Sequence, residues 1–127
     1  MTREVRAAGE KQLFWVGSSR KDLMEFPEAV KIHLGAALSV AQFGGKSPDA
    51  KPWKGEGGGV LEIVEDHRGD TFRAVYTVRF AGAVYVLHAF QKKSKTGIKT
   101  PKAEQDLIAS RLKDAERDYR ERYGKGE

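Results

Sequence analysis

Residues 60–91 read VLEIVEDHRGDTFRAVYTVRFAGAVYVLHAFQ, and this stretch decides the fold. Apolar and polar side chains alternate within it with a period of two, which is typical of β-strands. The segments 67–70 and 81–82 carry turn-forming residues and separate the runs. The stretch therefore predicts three strands, at 60–66, 71–80 and 83–91, joined as an antiparallel meander.

The segments before the meander predict one more strand and then helices. Residues 11–17 (KQLFWVG) favour a strand, and Ser18 or Ser19 can cap a helix after it. Pro27 suits the first turn of a helix whose apolar residues recur at helical spacing as far as Gly44 and Gly45. Residues 46–59 contain two prolines and four glycines, so they predict a loop.

A final helix is predicted after the meander, with Thr100 as its N-cap, Pro101 at its first position and its end near residues 123–124. The predicted order is strand, helices, meander, helix over a single domain, residues 1–127. This order indicates an α+β fold in which helices pack on a small antiparallel sheet made of the first strand and the meander. The apolar stripe expected on the final helix comprises Ala103, Leu107, Leu112, Ala115, Tyr119 and Tyr123.

The register of the meander predicts which side chains are neighbours. If the turns centre on 68–69 and 81–82, Val75 opposes both Glu62 and His88. Arg73 lies on the same face, and Arg73, Glu62 and His88 are then diagonal neighbours around Val75, on the order of 5–8 Å apart at Cβ. This face is predicted to lie opposite the core. The core face is then predicted to carry Phe72, Ala74, Tyr76, Val78, Phe80, Tyr85, Leu87 and Ala89.

The grouping of Glu62, Arg73 and His88 suits phosphodiester chemistry. A guanidinium can hold a phosphate through two hydrogen bonds, and a carboxylate or an imidazole can move protons. A structural interpretation is also open. Glu62 and Arg73 can form a cross-strand ion pair, and His88 can be an ordinary half-buried histidine.

The net positive charge is concentrated in one acid-free segment, residues 88–102. The chain has 23 Lys and Arg against 18 Asp and Glu, so five lysines of this segment account for the difference. A basic loop on a neutral body attracts polyanions such as a phosphate backbone, although it can also serve solubility alone. The five residues are Lys92, Lys93, Lys95, Lys99 and Lys102.

Composition limits the other classes of function. The chain has no cysteine, so it has neither disulfides nor thiolate metal sites, and its three scattered histidines make a zinc site unexpected. We find no apolar run of membrane-spanning length and no signal-peptide pattern. These features predict a cytoplasmic protein with no membrane association, no metal and no cofactor.

Residues 72–76 (FRAVY) and 86–94 (VLHAFQKKS) form the most specific combination of motifs in the chain. With shorter matches at 15–19, 21–23, 26–27, 42–45, 54–55, 58–62 and 97–102, they resemble the phage-derived, HigB-like branch of the RelE/ParE toxin superfamily. The resemblance extends from about Lys11 to Leu112. It implies a RelE-like fold and a toxin of a type II toxin–antitoxin pair.

The resemblance also implies an activity and partners. Such toxins commonly cleave mRNA on the ribosome without a metal, by attack of the RNA 2′-hydroxyl on the adjacent phosphate. The implied protein partner is a helix-turn-helix, HigA-like antitoxin, which would carry the contact with operator DNA. Two other functions stay open, a ParE-like toxin that binds gyrase and a non-catalytic nucleic-acid-binding module.

By resemblance, Arg73 contacts the scissile phosphate and Lys93 is the basic residue that follows the last strand. Lys92, His88 and Glu62 complete the predicted catalytic set. Glu62 and a valine stand where the family pattern has two lysines, so the general base stays open between Glu62 and His88. The predicted RNA-binding residues are Lys54, Lys95, Lys99 and Lys102.

Overall fold

The structure, a computed structural model, describes residues 8–92 and 101–124. The elements are β1 (Gln12–Trp15), α1 (Ser19–Met24), α2 (Glu28–Gln42), β2 (Ala50–Pro52), β3 (Val60–His67), β4 (Asp70–Thr77), β5 (Ala83–Lys92) and α3 (Lys102–Tyr123). The five strands form one sheet in the order β1-β5-β4-β3-β2. Strand β1 runs parallel to β5, and the other neighbours are antiparallel. The α+β class is therefore confirmed, with a mixed rather than a purely antiparallel sheet.

The predicted meander is present as β3, β4 and β5. Arg68 and Gly69 join β3 to β4 with φ values of 52° and 88°, the two positive angles of a tight hairpin turn. Strand β4 ends at Thr77 rather than at residue 80. The Thr77 hydroxyl there donates a hydrogen bond to the Gly59 carbonyl and accepts one from the Arg79 amide.

The loop predicted at residues 46–59 contains a short strand, β2, which pairs with β3. Proline disfavours strands because it has no N–H to donate, so Pro52 favoured the prediction of a loop and β2 was not predicted. Strand β2 lies at the edge of the sheet, where Pro52 does not interrupt a ladder on both sides. The edge position therefore explains why a strand can contain Pro52 and why the loop prediction was wrong at residues 50–52.

The prediction of a single core face is wrong, because both faces of the sheet are covered. The register shifts between Val75, which opposes His88, and Tyr76, which opposes Val86, so that Leu87 is an extra residue in β5. This bulge reverses the alternation of side chains along β5. Phe72, Ala74, Tyr76, Val84, Val86 and Ala89 pack with α1 and α2, whereas Val75, Tyr85, Leu87 and Phe90 pack with α3.

Helix α3 covers the face that was predicted to lie opposite the core. Its buried residues are Ile108, Leu112, Ala115 and Tyr119. Ile108 therefore belongs to the apolar stripe of the helix although it was not predicted, and Ala103, which was predicted, is exposed. The helix starts one residue later than predicted, with Pro101 as its N-cap, and it ends at Gly124 as expected. The predicted N-cap Thr100 lies outside the described residues.

Two buried tyrosines of the sheet differ in whether the hydroxyl group has a hydrogen-bond partner. Tyr76 and Tyr85 are almost fully buried. The Tyr85 hydroxyl donates a hydrogen bond to Asp118 at 2.6 Å, whereas the Tyr76 hydroxyl has no partner among the described residues. Burial raises the pKa of Tyr76 to about 12, so this hydroxyl stays neutral.

We predict that Tyr76→Phe increases the free energy of unfolding by about 1 kcal/mol, because it removes a buried hydroxyl that makes no hydrogen bond. Tyr85→Phe should decrease it by about 1 kcal/mol, because it removes a hydrogen bond to a carboxylate. Urea denaturation of both variants measures the two changes. A loss of stability in Tyr76→Phe as large as that in Tyr85→Phe would contradict this account.

His33 of α2 predicts a pH dependence of stability. Its ring nitrogens contact the carboxylates of Asp49, at 2.7 Å, and Glu65. The hydrogen bond with Asp49 is the main cause that raises the pKa of His33 above 6.5. A raised pKa in the folded state means that the stabilisation is complete below about pH 6.5 and is lost as the pH rises through the folded value.

Urea midpoints measured from about pH 5.5 to 8.5 should therefore fall over the upper part of this range. His33→Gln should flatten the dependence, whereas His67→Gln, which changes the histidine at the β3–β4 turn, should keep it. An unchanged slope in His33→Gln would show that the two ion pairs do not contribute.

Candidate functional site

The predicted site residues on β3, β4 and β5 do lie together. Val75 opposes Glu62 and His88, and Arg73 opposes Phe90, as the sequence predicted. Arg73 Nη1 donates to Glu62 Oε1 at 2.6 Å. The two side chains are only 16% and 15% exposed, so the ion pair is largely shielded from water. The cross-strand ion pair considered from the sequence is therefore present.

His88 is buried between the sheet and α3. Its Nε2 lies 2.5 Å from Glu104 Oε1, and its Nδ1 lies 3.4 Å from Nη1 of Arg111. The ring also stacks on Phe90. Since both nitrogens face side chains of α3, His88 connects the centre of the sheet to the first turns of that helix.

A cleft of 430 Å³ opens at the β2 edge of the sheet. Strand β2 and the residues after it form one wall, β3 contributes Glu62, and the first turn of α3 contributes Gln105. The two predicted site residues that line the cleft are Glu62 and Lys54, with Arg73 behind Glu62. The full lining is Lys51, Pro52, Trp53, Lys54, Glu62 and Gln105.

The wall that carries Lys54 is held by two sets of contacts. Trp53 is buried, and its amide donates to the Val60 carbonyl at 2.8 Å. Arg79 donates hydrogen bonds to the carbonyls of Glu56 and Gly58 in the β2–β3 connection. Arg79 follows β4 and also pairs with a glutamate of α3, at position 116, so it links the β2–β3 connection to α3.

The predicted basic residues have different surroundings. Lys92 is half-buried at the end of β5, opposite Thr71. Lys102 is exposed and pairs with Asp106 of its own helix at 3.0 Å. Lys93, Lys95 and Lys99 lie outside the described residues, so their roles stay predictions.

Sequence reasoning missed Lys51, because the loop prediction for residues 46–59 gave this lysine no register with the sheet. The structure pairs Lys51 directly with Glu62 across the β2–β3 ladder. The polar sequence around Pro52 contained no alternation from which this pairing could be derived. Lys51 is therefore an addition that the structure makes to the candidate site.

Other parts of the described chain are less suitable as sites. Clefts of 340 and 540 Å³ flank the C-terminal half of α3, and neither is lined by a predicted site residue. Residues 8–92 and 101–124 contain no group of three or more His, Asp and Glu side chains arranged to hold a metal ion. Within the same ranges, no helix combines the length and hydrophobicity of a membrane span.

The shielded pair predicts a coupled loss of stability. Arg73→Ala should lower the free energy of unfolding by about 1–3 kcal/mol, because it leaves the Glu62 carboxylate partly buried without its partner. Arg73→Ala combined with Glu62→Ala should cost less than the sum of the two single variants. A double-mutant cycle in urea measures the coupling, and additive effects would contradict the pairing.

Comparison with known proteins gives the relationships of the chain. The model of the family described as Phage derived protein Gp49-like (DUF891) matches residues 21–113. A solved structure of the toxin–antitoxin complex RelBE2 from Mycobacterium tuberculosis is 20% identical, covers 69% of this chain and 98% of its own, and has a TM-score of 0.38. A search of curated protein sequences found no match.

The family match bears on the resemblance found in the sequence. It spans β2 to β5 and the first half of α3, so every residue that lines the cleft lies inside it. The phage-derived part of that resemblance is confirmed, and the HigB-like branch stays a prediction. The chain belongs to the phage-derived Gp49-like family.

Proposed function

We propose that this protein is the toxin of a type II toxin–antitoxin system and that it cleaves mRNA on the ribosome. The observation that carries the proposal is the cleft, in which the Glu62 carboxylate lies among lysine side chains. RNA cleavage without a metal requires a group that takes up a proton and cations near the phosphate. Membership of the Gp49-like family supports the assignment to a toxin.

In this proposal Glu62 is the general base. It takes the proton of a 2′-hydroxyl, and the 2′-oxygen forms a bond to the adjacent phosphorus. The bond from phosphorus to the 5′-oxygen breaks, and that oxygen takes a proton from water or from a lysine ammonium group. The products are a 2′,3′-cyclic phosphate and a 5′-hydroxyl, so no oxidant or metal is consumed.

Glu62 is favoured over His88 by access. Glu62 lines the cleft, whereas His88 is 6% exposed and its ring nitrogens face Glu104 and Arg111. We assign His88 the role of holding the first turns of α3, which form one wall of the cleft. Arg73 keeps the Glu62 side chain in place through the 2.6 Å hydrogen bond.

The acid-free basic segment, residues 88–102, would attract the ribosome and its mRNA. Its lysines (Lys92, Lys93, Lys95, Lys99 and Lys102) supply positive charge close in sequence to the strand and helix that flank the site. Contacts of this kind weaken as salt concentration rises. The proposed protein partner is a helix-turn-helix antitoxin of the HigA type that contacts operator DNA, and the proposed location is the cytoplasm.

We predict that expression of the protein in bacteria arrests growth and that Glu62→Gln relieves the arrest. Glutamine keeps an oxygen for Arg73 but cannot take up the proton, so cleavage should slow by about 100-fold or more. Primer extension on cellular mRNA and single-turnover cleavage on purified ribosomes measure the effect. The matched control is Glu25→Gln, at an exposed glutamate that follows α1 and lies away from the cleft.

Other outcomes would assign a different function. Growth arrest with intact mRNA and a loss of DNA supercoiling would identify a gyrase-binding toxin. Expression without arrest, in a host that lacks the antitoxin, would leave a non-catalytic nucleic-acid-binding module. Arrest that is relieved by the product of an adjacent helix-turn-helix gene would identify the antitoxin.

A further inference from the structure

Arg73, the cation that the family resemblance assigned to the scissile phosphate, is bound to another group. Arg73 donates to Glu62 at 2.6 Å, its side chain is 16% exposed, and it does not line the cleft. A phosphate that bound Arg73 directly would have to displace Glu62 from it. Another cation inside the cleft is better placed to contact RNA.

Lys51 is that cation. It lies directly opposite Glu62 in the β2–β3 ladder, so the two side chains emerge on the same face of the sheet with Cβ atoms about 5 Å apart. A lysine and a glutamate in this arrangement usually pair with each other. Here the carboxylate is bound to Arg73, and the exposed Lys51 side chain makes no hydrogen bond or ion pair through its ammonium group to any described residue.

The pairing of the strands also gives the spacing that the reaction needs. The 2′-hydroxyl and the phosphate that it attacks are adjacent on one nucleotide, so the base and the phosphate-binding cation must be adjacent as well. Cross-strand neighbours satisfy this condition, and both Glu62 and Lys51 line the cleft. Lys54 lies beyond the end of β2, in the connection to β3, which suits a neighbouring phosphate.

We propose that Lys51 binds the scissile phosphate of the RNA and stabilises the charge that develops on it during cleavage. This inference rests on the proposed function. Lys51 contributes an ammonium group that donates hydrogen bonds to a non-bridging phosphate oxygen, and no covalent bond to the protein forms. A contact that strengthens in the transition state affects the rate at saturation and not only the affinity.

The test is single-turnover cleavage of mRNA on purified ribosomes at saturating protein. We expect Lys51→Ala to lower the saturated rate by about 100-fold, and Lys51→Arg, which keeps the charge, to recover at least about one tenth of the parental rate. Lys46→Ala is the control, because Lys46 is an exposed lysine shortly before β2 that does not line the cleft. Lys51→Gln is a second neutral variant that keeps most of the side-chain length, and thermal unfolding checks the fold of each variant.

The outcomes separate this inference from the proposed function. If the parent protein cleaves RNA and folded Lys51→Ala and Lys51→Gln cleave at the parental saturated rate, the inference is wrong and the proposed function stands. A change in half-saturating concentration alone would likewise overturn the inference, because it would mean that Lys51 only attracts RNA. If the parent protein does not cleave RNA, the proposed function fails and this inference fails with it.

Discussion

The burial of β5 from Ala83 to Phe90 is the constraint on which the rest of the structure depends. Each of these eight residues is at most 8% exposed, so this strand needs a cover on both faces and a neighbour on both edges. Strands β1 and β4 pair with the two edges of β5, α1 and α2 cover one of its faces, and α3 covers the other. The polar ring of His88 can be buried in this strand because Glu104 and Arg111 are hydrogen-bond partners of its two nitrogens.

The same constraint positions the candidate site. The contact between His88 and Glu104 holds the start of α3 against the centre of the sheet, and the next residue of the helix, Gln105, reaches the cleft. The sheet extends past this cover to β2, its edge strand. The cleft therefore forms where burial by α3 ends, and Lys51 and Glu62 line it from paired strands at the edge of the core.

The sequence predicted the meander and its register because two short turns fix how the strands pair. The pairing of Val75 with Glu62 and His88 followed directly. The bulge at Leu87 could not be predicted, because a continuous apolar run fits either face and its alternation does not identify the core side. The edge strand that contains Lys51 was not predicted because Pro52 favoured a loop. The packing of α3 on the second face of the sheet depends on tertiary contacts, which no local sequence pattern indicates.

Under the proposed function, the ion pair behind the cleft explains how an acid can belong to a site for a polyanion. An isolated Glu62 carboxylate would repel phosphate. Arg73 offsets that charge from the sheet side, so Lys51 and Lys54 give the cleft a net positive charge. Since a shielded ion pair contributes little net stability, its position beside the cleft is better explained by the orientation of Glu62 than by the stability of the fold. In the proposed reaction, the arginine therefore acts through the glutamate, and the lysine acts on the phosphate.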